Sequence, residues 1–186
     1  MDGALIKLTI FLVISGFLLS ISWRSLRVVL SHGFYRFFAW EAILALILLN
    51  IHAWFSDPFS PLQLVSWMLL VVSLVWLGCG LYMIRLVGKP GTKRIDESLF
   101  AFEKTSALVT SGIFLYMRHP LYGALLFLAW GAFLKGVSWY SFVLVFLATL
   151  FLVWTASADE AECIREFGSS YEEYMKRSKM FVPLLF

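Results

Sequence analysis

The chain has 186 residues, of which 61% are hydrophobic and only 15% are charged, and its mean hydropathy is +0.84. Soluble domains carry about 25% charged residues, so this composition excludes an ordinary soluble globule. The net charge of +3 is small and spread along the chain, which gives no reason to expect a nucleic-acid partner. Two cysteines, Cys79 and Cys163, indicate neither a disulfide framework nor a zinc site, and we predict no metal.

Long apolar stretches predict an all-α, polytopic membrane protein with about five transmembrane helices. A helix needs about 20 residues to cross a bilayer. The candidate stretches cover residues 4–23, 37–54, 62–86, 120–134 and 137–157. The fourth is barely long enough to span, and the turn Lys135-Gly136 joins it to the fifth as a helical hairpin near the C-terminus. We interpret residues 1–186 as one integral membrane domain.

The basic residues predict an orientation for these helices. They concentrate after the first, third and fifth stretches, as Arg24, Arg27, Arg36, Arg85, Lys89, Lys93, Arg94, Lys104, Arg118, Lys176, Arg177 and Lys179. Short loops rich in lysine and arginine face the cytoplasm. The N-terminus is therefore predicted outside, and the C-terminal tail inside. The polar residues 92–117 would then form a cytoplasmic cap at the membrane surface.

Glu41 and His52 are ionisable residues in or beside the second apolar stretch. An ionisable group inside a span is a functional candidate. However, Glu41 is only about a turn from Arg36, which favours a position at the membrane interface. The sequence leaves open whether Glu41 and His52 line an access path.

The motif Arg118-His119-Pro120 interrupts the apolar sequence and predicts the start of a helix. Proline is well tolerated at the first helical position, because its missing N–H would be unpaired there. Arg118 and His119 would then lie beside free N–H groups and the positive end of the helix dipole, which favour an anionic ligand. The alternative is that the pair only marks a membrane interface.

An acidic pair, Asp159 and Glu160, lies late in the chain. The fifth helix is predicted to continue out of the membrane to about Phe167, with Gly168 as its stop. Ser170 and Glu173 have the spacing of a capping box, which would begin a last short helix. Since Asp159 and Glu160 emerge on the side that carries Arg118 and His119, the two pairs can together clamp a zwitterionic ligand.

These motifs form an ordered set: Leu108-Val109-x-x-Gly112, Arg118-His119-Pro120-x-Tyr122, the paired acids, Phe167-Gly168-x-x-Tyr171-x-x-Tyr174 and Pro183. The set resembles the isoprenylcysteine carboxyl methyltransferase superfamily over roughly residues 104–186. The bacterial and archaeal members of that superfamily are small helical membrane proteins that use S-adenosyl-L-methionine. The resemblance therefore implies a methyltransferase in the plasma membrane of a prokaryote, with a cytoplasmic active site.

The resemblance also implies a set of site residues. The cofactor-binding candidates are Leu108, Val109, Phe114, His119, Pro120, Leu121, Tyr122, Asp159 and Glu160. We assign Arg118 as the catalytic candidate. His119 and the helix start would hold the methionine carboxylate, while Asp159 or Glu160 would take ribose hydroxyls or the amino group. Tyr122 and neighbouring aromatic side chains would pack on the adenine or face the sulfonium.

The chain departs from the family pattern at three places. Ser106 stands where many members have histidine, and Phe114 replaces a common tyrosine. Residues 154–158 also lack the arginine that eukaryotic members use to hold a prenylcysteine carboxylate. We therefore expect a small or lipid-soluble acceptor, lipophilic or amphipathic, that enters sideways from the bilayer.

Two other interpretations remain open at this stage. Membrane sterol and steroid reductases share Arg-His-Pro-x-Tyr and a late acidic, tyrosine-rich tail, and they bind NADPH. Their motif commonly has asparagine where this chain has Leu121. A non-catalytic membrane scaffold is the third interpretation, because Ser106 and Phe114 depart from the cofactor pattern.

Overall fold

The computed structural model describes residues 3–88 and 107–183, and these residues form an all-α protein. The α-helices are α1 (Gly3–Leu26), α2 (His32–Asn50), α3 (Pro61–Val87), α4 (Pro120–Lys135), α5 (Trp139–Phe167) and α6 (Ser169–Arg177), with short 3₁₀ turns at Ile51–Ala53 and Gly112–Leu115. Four helices are long and apolar enough to cross a membrane: α1, α2 with its 3₁₀ extension, α3 and α5. The prediction of an all-α polytopic membrane protein is thus confirmed. Most of the predicted cap lies outside the described residues.

Helix α4 is shorter than the four long helices. It has 16 residues, which corresponds to about 24 Å of helix, less than the roughly 30 Å hydrocarbon core of a bilayer. Its sequence is apolar, and α5 follows it after a three-residue connection. The predicted hairpin is present, with α4 as its short arm.

Two helix starts differ from the sequence prediction. Helix α2 begins at His32 rather than near residue 37, because the Ser31 hydroxyl caps it by accepting a hydrogen bond from the Phe34 N–H at 3.1 Å. The predicted capping box of Ser170 and Glu173 is wrong. Gly168, with a positive φ of 57°, ends α5 and directly precedes α6, whose first residue is already Ser169.

Glu41 lies halfway along α2, which corrects its expected interfacial position. The earlier start of α2 moves Glu41 about 14 Å into the helix. Its Oε2 accepts a hydrogen bond of 2.6 Å from the hydroxyl of Ser15, which lies halfway along α1. Within the described residues, Oε1 of Glu41 is buried without a hydrogen-bond partner. An intramembrane carboxyl therefore joins α1 to α2.

The helices pack in two close pairs, α3 with α4 and α2 with α5, and α4 joins the pairs by contacting α5 and α2. The main hydrophobic core lies at this junction and includes the fully buried Ala39, Leu46, Ala129, Val145 and Leu152. Helix α1 packs chiefly on α2 and leaves most of its surface exposed. The pair α3–α4 and the C-terminal end of α5 are the elements that carry the site.

Small and hydroxylated residues bring α3 and α4 close together. Ser66 and Ser73 of α3 donate hydrogen bonds of 2.7 Å to the carbonyls of Gly131 and Ala124 in α4. A Cβ atom on Gly131 would lie 2.9 Å from the Leu70 side chain and 3.3 Å from the Ser66 carbonyl. Only a glycine allows this approach, as is common where membrane helices cross.

Replacing Gly131 with leucine should separate α3 from α4. Overpacking of this kind costs about 1–3 kcal/mol of unfolding free energy, so Gly131→Leu should lower the Tm of the detergent-solubilised protein. Gly78→Leu is the matched control, since no atom lies within 4 Å of a Cβ at Gly78. An equal Tm for the two variants would contradict this packing.

Candidate functional site

The chain that leads into α4 is held against α3 and α6. Gly112 has a φ of +62°, and a Cβ there would lie 2.8 Å from the sulfur of Met83 in α3. Gly112 begins the 3₁₀ turn Gly112–Leu115. Tyr174 connects this turn to α6, because its hydroxyl donates a hydrogen bond to the Phe114 carbonyl. Burial raises the pKa of the Tyr174 phenol, so it stays a neutral hydrogen-bond donor.

The segment after α6 pairs with the residues before α4. The N–H of Arg118 donates to the Lys179 carbonyl at 2.8 Å, and the N–H of His119 donates to the Met180 carbonyl at 3.1 Å. In the other direction, the Lys179 N–H donates to the Tyr116 carbonyl at 3.1 Å. This short parallel pairing fixes the backbone of Arg118 and His119, whose side chains are both site candidates.

His119 is the N-cap residue of α4, with Pro120 at the first helical position as predicted. Its side chain does not cap the helix. Its ring instead stacks on Tyr122, with 5.4 Å between the ring centroids. The first backbone bond inside the helix runs from the Gly123 N–H to the His119 carbonyl, at 2.8 Å. The His119 ring therefore lies beside the first turn of α4 and contacts the C-terminal part of α5.

Two carboxylates of α5 flank the His119 ring. Nδ1 lies 3.5 Å from Asp159 Oδ2, and Nε2 lies 3.3 Å from Glu160 Oε1. Burial alone would lower the pKa of His119, but the hydrogen bonds and negative charges of Asp159 and Glu160 outweigh it. The pKa of His119 is raised above its ordinary value, which favours an imidazolium cation in the site.

Arg118 is bonded on several sides by its own chain. Its Nε donates a hydrogen bond of 2.6 Å to Glu160 Oε1, and its Nη1 donates to the carbonyls of Met175, at 3.3 Å, and Ser178. The guanidinium therefore links α5 to the end of α6. Its role as the catalytic candidate stays a prediction, but its contacts fit a residue that positions Glu160.

A cavity of about 120 Å³ lies beside His119. Its described lining consists of Ile84, Leu108, Val109, Phe114, Arg118, His119, Pro120, Leu121, Tyr122, Asp159, Cys163, Phe167, Tyr171 and Tyr174. The cavity thus brings together all the candidate residues except Glu160, which lies behind His119. Ser106, the departure from the family pattern upstream, lies outside the described residues.

Two lining residues, Ile84 and Cys163, were not singled out from the sequence. Ile84 belongs to an apolar stretch in which no position is distinguished from its neighbours. Cys163 follows Asp159 by one helical turn, and its sulfur lies 3.8 Å from Asp159 Oδ1. This i, i+4 spacing from a candidate acid is the sequence signal that could have identified Cys163 as a residue of the site.

A second acid–base pair, His32 and Glu162, adjoins the site and was also missed. His32 is fully buried at the start of α2, and its Nδ1 lies 2.7 Å from Glu162 Oε2. The His32 backbone N–H also donates to Glu162 Oε1, at 3.2 Å. With Asp159, these residues form a group whose ligand atoms lie within 4.8 Å of one another. These donor types suit a divalent cation, although His32 and Glu162 already bond to each other.

The comparisons with known proteins give a single finding. The sequence model of the phospholipid methyltransferase family matches residues 62–169. This range runs from the first turn of α3 to the first residue of α6, and it includes the Arg118-His119-Pro120 motif and the acids Asp159, Glu160 and Glu162 of α5. No curated protein and no solved structure matches the chain.

The raised pKa of His119 predicts a pH-dependent stability. A folded-state pKa above the unfolded value of about 6.5 contributes stability that is fully present below that value. This contribution is lost as the pH rises through the folded-state pKa. The Tm difference between the wild type and His119→Gln should therefore be largest near pH 6 and shrink toward pH 9. A difference that stays constant over this range would contradict a raised pKa of His119 in the folded protein.

The bond between His32 and Glu162 should stabilise the junction of α2 and α5. His32→Leu leaves the buried Glu162 carboxylate without its side-chain donor, which should cost about 1–3 kcal/mol of unfolding free energy. His32→Asn keeps an N–H group near the position of Nδ1 and should recover part of the loss. Thermal unfolding of both variants at one pH tests this, and equal losses would argue for a packing role instead.

Proposed function

This chain belongs to the phospholipid methyltransferase family, and on that basis we propose that it transfers a methyl group from S-adenosyl-L-methionine to a lipid-soluble acceptor. Family membership and four candidate membrane spans make it a membrane methyltransferase. The observation that carries the cofactor proposal is the position of His119, at the start of α4 and between two carboxylates of α5.

The residues around the cavity suit this cofactor in three ways. The His119 imidazolium and the N-terminal end of α4 attract a carboxylate such as that of methionine. A carboxylate facing the cavity can accept hydrogen bonds from ribose hydroxyls or from an ammonium group. Leu108, Val109, Leu121 and Tyr122 provide apolar and aromatic contacts for a planar base. When bound, the cofactor would supply the electrophilic methyl group on its sulfonium.

The two neighbouring acids have different roles in this proposal. Asp159 lines the cavity, and its side chain is 20% exposed, so it would contact the cofactor. Glu160 is bonded to Arg118 and His119 and does not line the cavity, so it would hold these two residues in position. The protein's contribution to catalysis would then be orientation and electrostatics at the reacting centre, as an in-line displacement requires.

A phospholipid headgroup fits the acceptor side of the site better than a carboxylate does. The only arginine on the cavity lining described by the structure, Arg118, is already engaged by Glu160 and two carbonyls. No arginine precedes the acids in residues 154–158. An acceptor carboxylate would thus find no free guanidinium on the described lining, whereas a lipid acceptor agrees with the name of the family and can enter sideways from the bilayer.

Cofactor binding is the direct test of the proposal. Isothermal titration calorimetry of the purified protein with S-adenosylhomocysteine should show saturable binding, and titration with NADPH should show none. Binding of NADPH alone would favour the reductase interpretation. Binding of neither compound would favour a non-catalytic scaffold.

Variants of the site sharpen the same measurement. His119→Gln and Asp159→Asn each remove a charge from a proposed cofactor contact, which should weaken S-adenosylhomocysteine binding roughly ten- to a hundredfold. Glu172→Gln is the control, because Glu172 is exposed on α6, away from the cavity. Wild-type affinity in both site variants would place the cofactor elsewhere.

The same proposal places the N-terminus outside and the site in the cytoplasm, as the basic residues predict. Exposed positions in two loops test this: Val29, between α1 and α2, and Phe59, between α2 and α3. In a background with Cys79 and Cys163 replaced by serine, a membrane-impermeant maleimide should label Phe59→Cys in intact cells. It should label Val29→Cys only after lysis, and the opposite pattern would invert the orientation.

A further inference from the structure

A second, larger cavity lies at the other end of the helices. This groove runs between α1 and α5 over a floor made by α2, and its volume is about 650 Å³. Its walls are apolar side chains, among them Leu8, Phe11, Ala45, Leu48, Val143 and Leu144. The groove exists because α1 packs chiefly on α2 and leaves a gap beside α5.

Lys7 is the one basic residue on the described lining of this groove. Its ammonium donates to the Leu49 carbonyl, with 3.4 Å between the atoms. A lysine ammonium has three donors, so two remain for another ligand. No carboxylate in the described ranges 3–88 and 107–183 pairs with Lys7. On its described lining, the groove therefore has a cation without a matching anion.

The position of Lys7 corresponds to the headgroup level of a bilayer. It lies near the start of α1, beside the end of α2 and the start of α5. At the same level, Trp139 and Tyr140 are 73% and 75% exposed, and such aromatic residues typically mark the membrane interface. From Lys7 the apolar walls continue along the helices toward the bilayer centre. A charged end and an apolar body match the two parts of a phospholipid.

We propose that this groove binds one anionic phospholipid, with its phosphate on Lys7 and one acyl chain against Phe11, Ala45 and Val143. A second copy that docked through the same face would fit less well, because it would bury the Lys7 ammonium and the described lining of that face holds no carboxylate. The groove shares no residue with the His119 cavity. Lipid binding here is therefore independent of the methyltransferase proposal.

Native mass spectrometry of the full chain in detergent tests this site with three probes. Phosphatidylglycerol should remain bound in a one-to-one complex, and phosphatidylcholine with the same acyl chains should bind more weakly. Glycerol 3-phosphate, which has the anion but no acyl chain, should not bind detectably. This set separates a lipid from a free phosphate, and an anionic lipid from a zwitterionic one.

Two variants test separately where the phosphate and the acyl chain of the lipid bind. Lys7→Ala should weaken phosphatidylglycerol binding about tenfold, toward the level of phosphatidylcholine, because it removes one charge-assisted contact. Ala45→Phe fills the groove floor and should weaken both lipids. Lys176→Ala, an exposed lysine on α6, is the charge-matched control and should bind as the wild type does.

Four results would overturn the proposal. Equal retention of the two lipids by the wild type would mean that lipids fill the groove without selectivity for the headgroup. Unchanged phosphatidylglycerol binding in Lys7→Ala would mean the same. Binding of glycerol 3-phosphate as tight as that of phosphatidylglycerol would mean that Lys7 is a simple anion site. A dimer that excludes lipid would make a second copy the occupant.

Discussion

The backbone pairing between the segment after α6 and the residues before α4 positions the whole site. Arg118 and His119 donate their backbone N–H groups to that segment, and the Arg118 side chain then bonds Glu160 of α5. Three parts of the chain that are far apart in sequence meet at these two residues. Because the bonds use main-chain groups, the geometry is independent of the side chains at Lys179 and Met180. The candidate site therefore depends on a backbone contact that no motif encodes.

Buried charged groups at the two ends of α4 are each held by several partners at once. At one end, opposite charges alternate through Arg118, Glu160, His119 and Asp159. At the other end, the buried Lys135 ammonium donates to the Gln63 side-chain carbonyl at 3.0 Å and lies over the Trp67 ring. Such arrangements offset the cost of removing a charge from water. Both ends of α4 are thereby anchored by ionic groups, although most of its sequence is apolar.

The sequence predicted the helices, because hydropathy reports span length and the proline marks where α4 begins. Most of the cavity lining was predicted only by the resemblance of the motifs to a known family. The sequence could not place Glu160 behind His119, since adjacent helical residues differ in direction by about 100° and only the packing of α5 decides which one faces the cavity. It also missed His32. That residue reaches Glu162 because α2 starts five residues earlier than its hydropathy indicates, and the same shift moves Glu41 into the span.

The late position of the pairing segment has a consequence for biosynthesis. Residues 178–181 are translated after all the described helices, yet they complete the backbone that carries Arg118 and His119. A nascent chain can thus insert its helices into the membrane before the backbone of the candidate site is complete. A premature stop codon just beyond α6 would leave a membrane-inserted protein in which the residues before α4 lack the segment that they pair with. Insertion and maturation of the site are therefore separate events in the life of this protein.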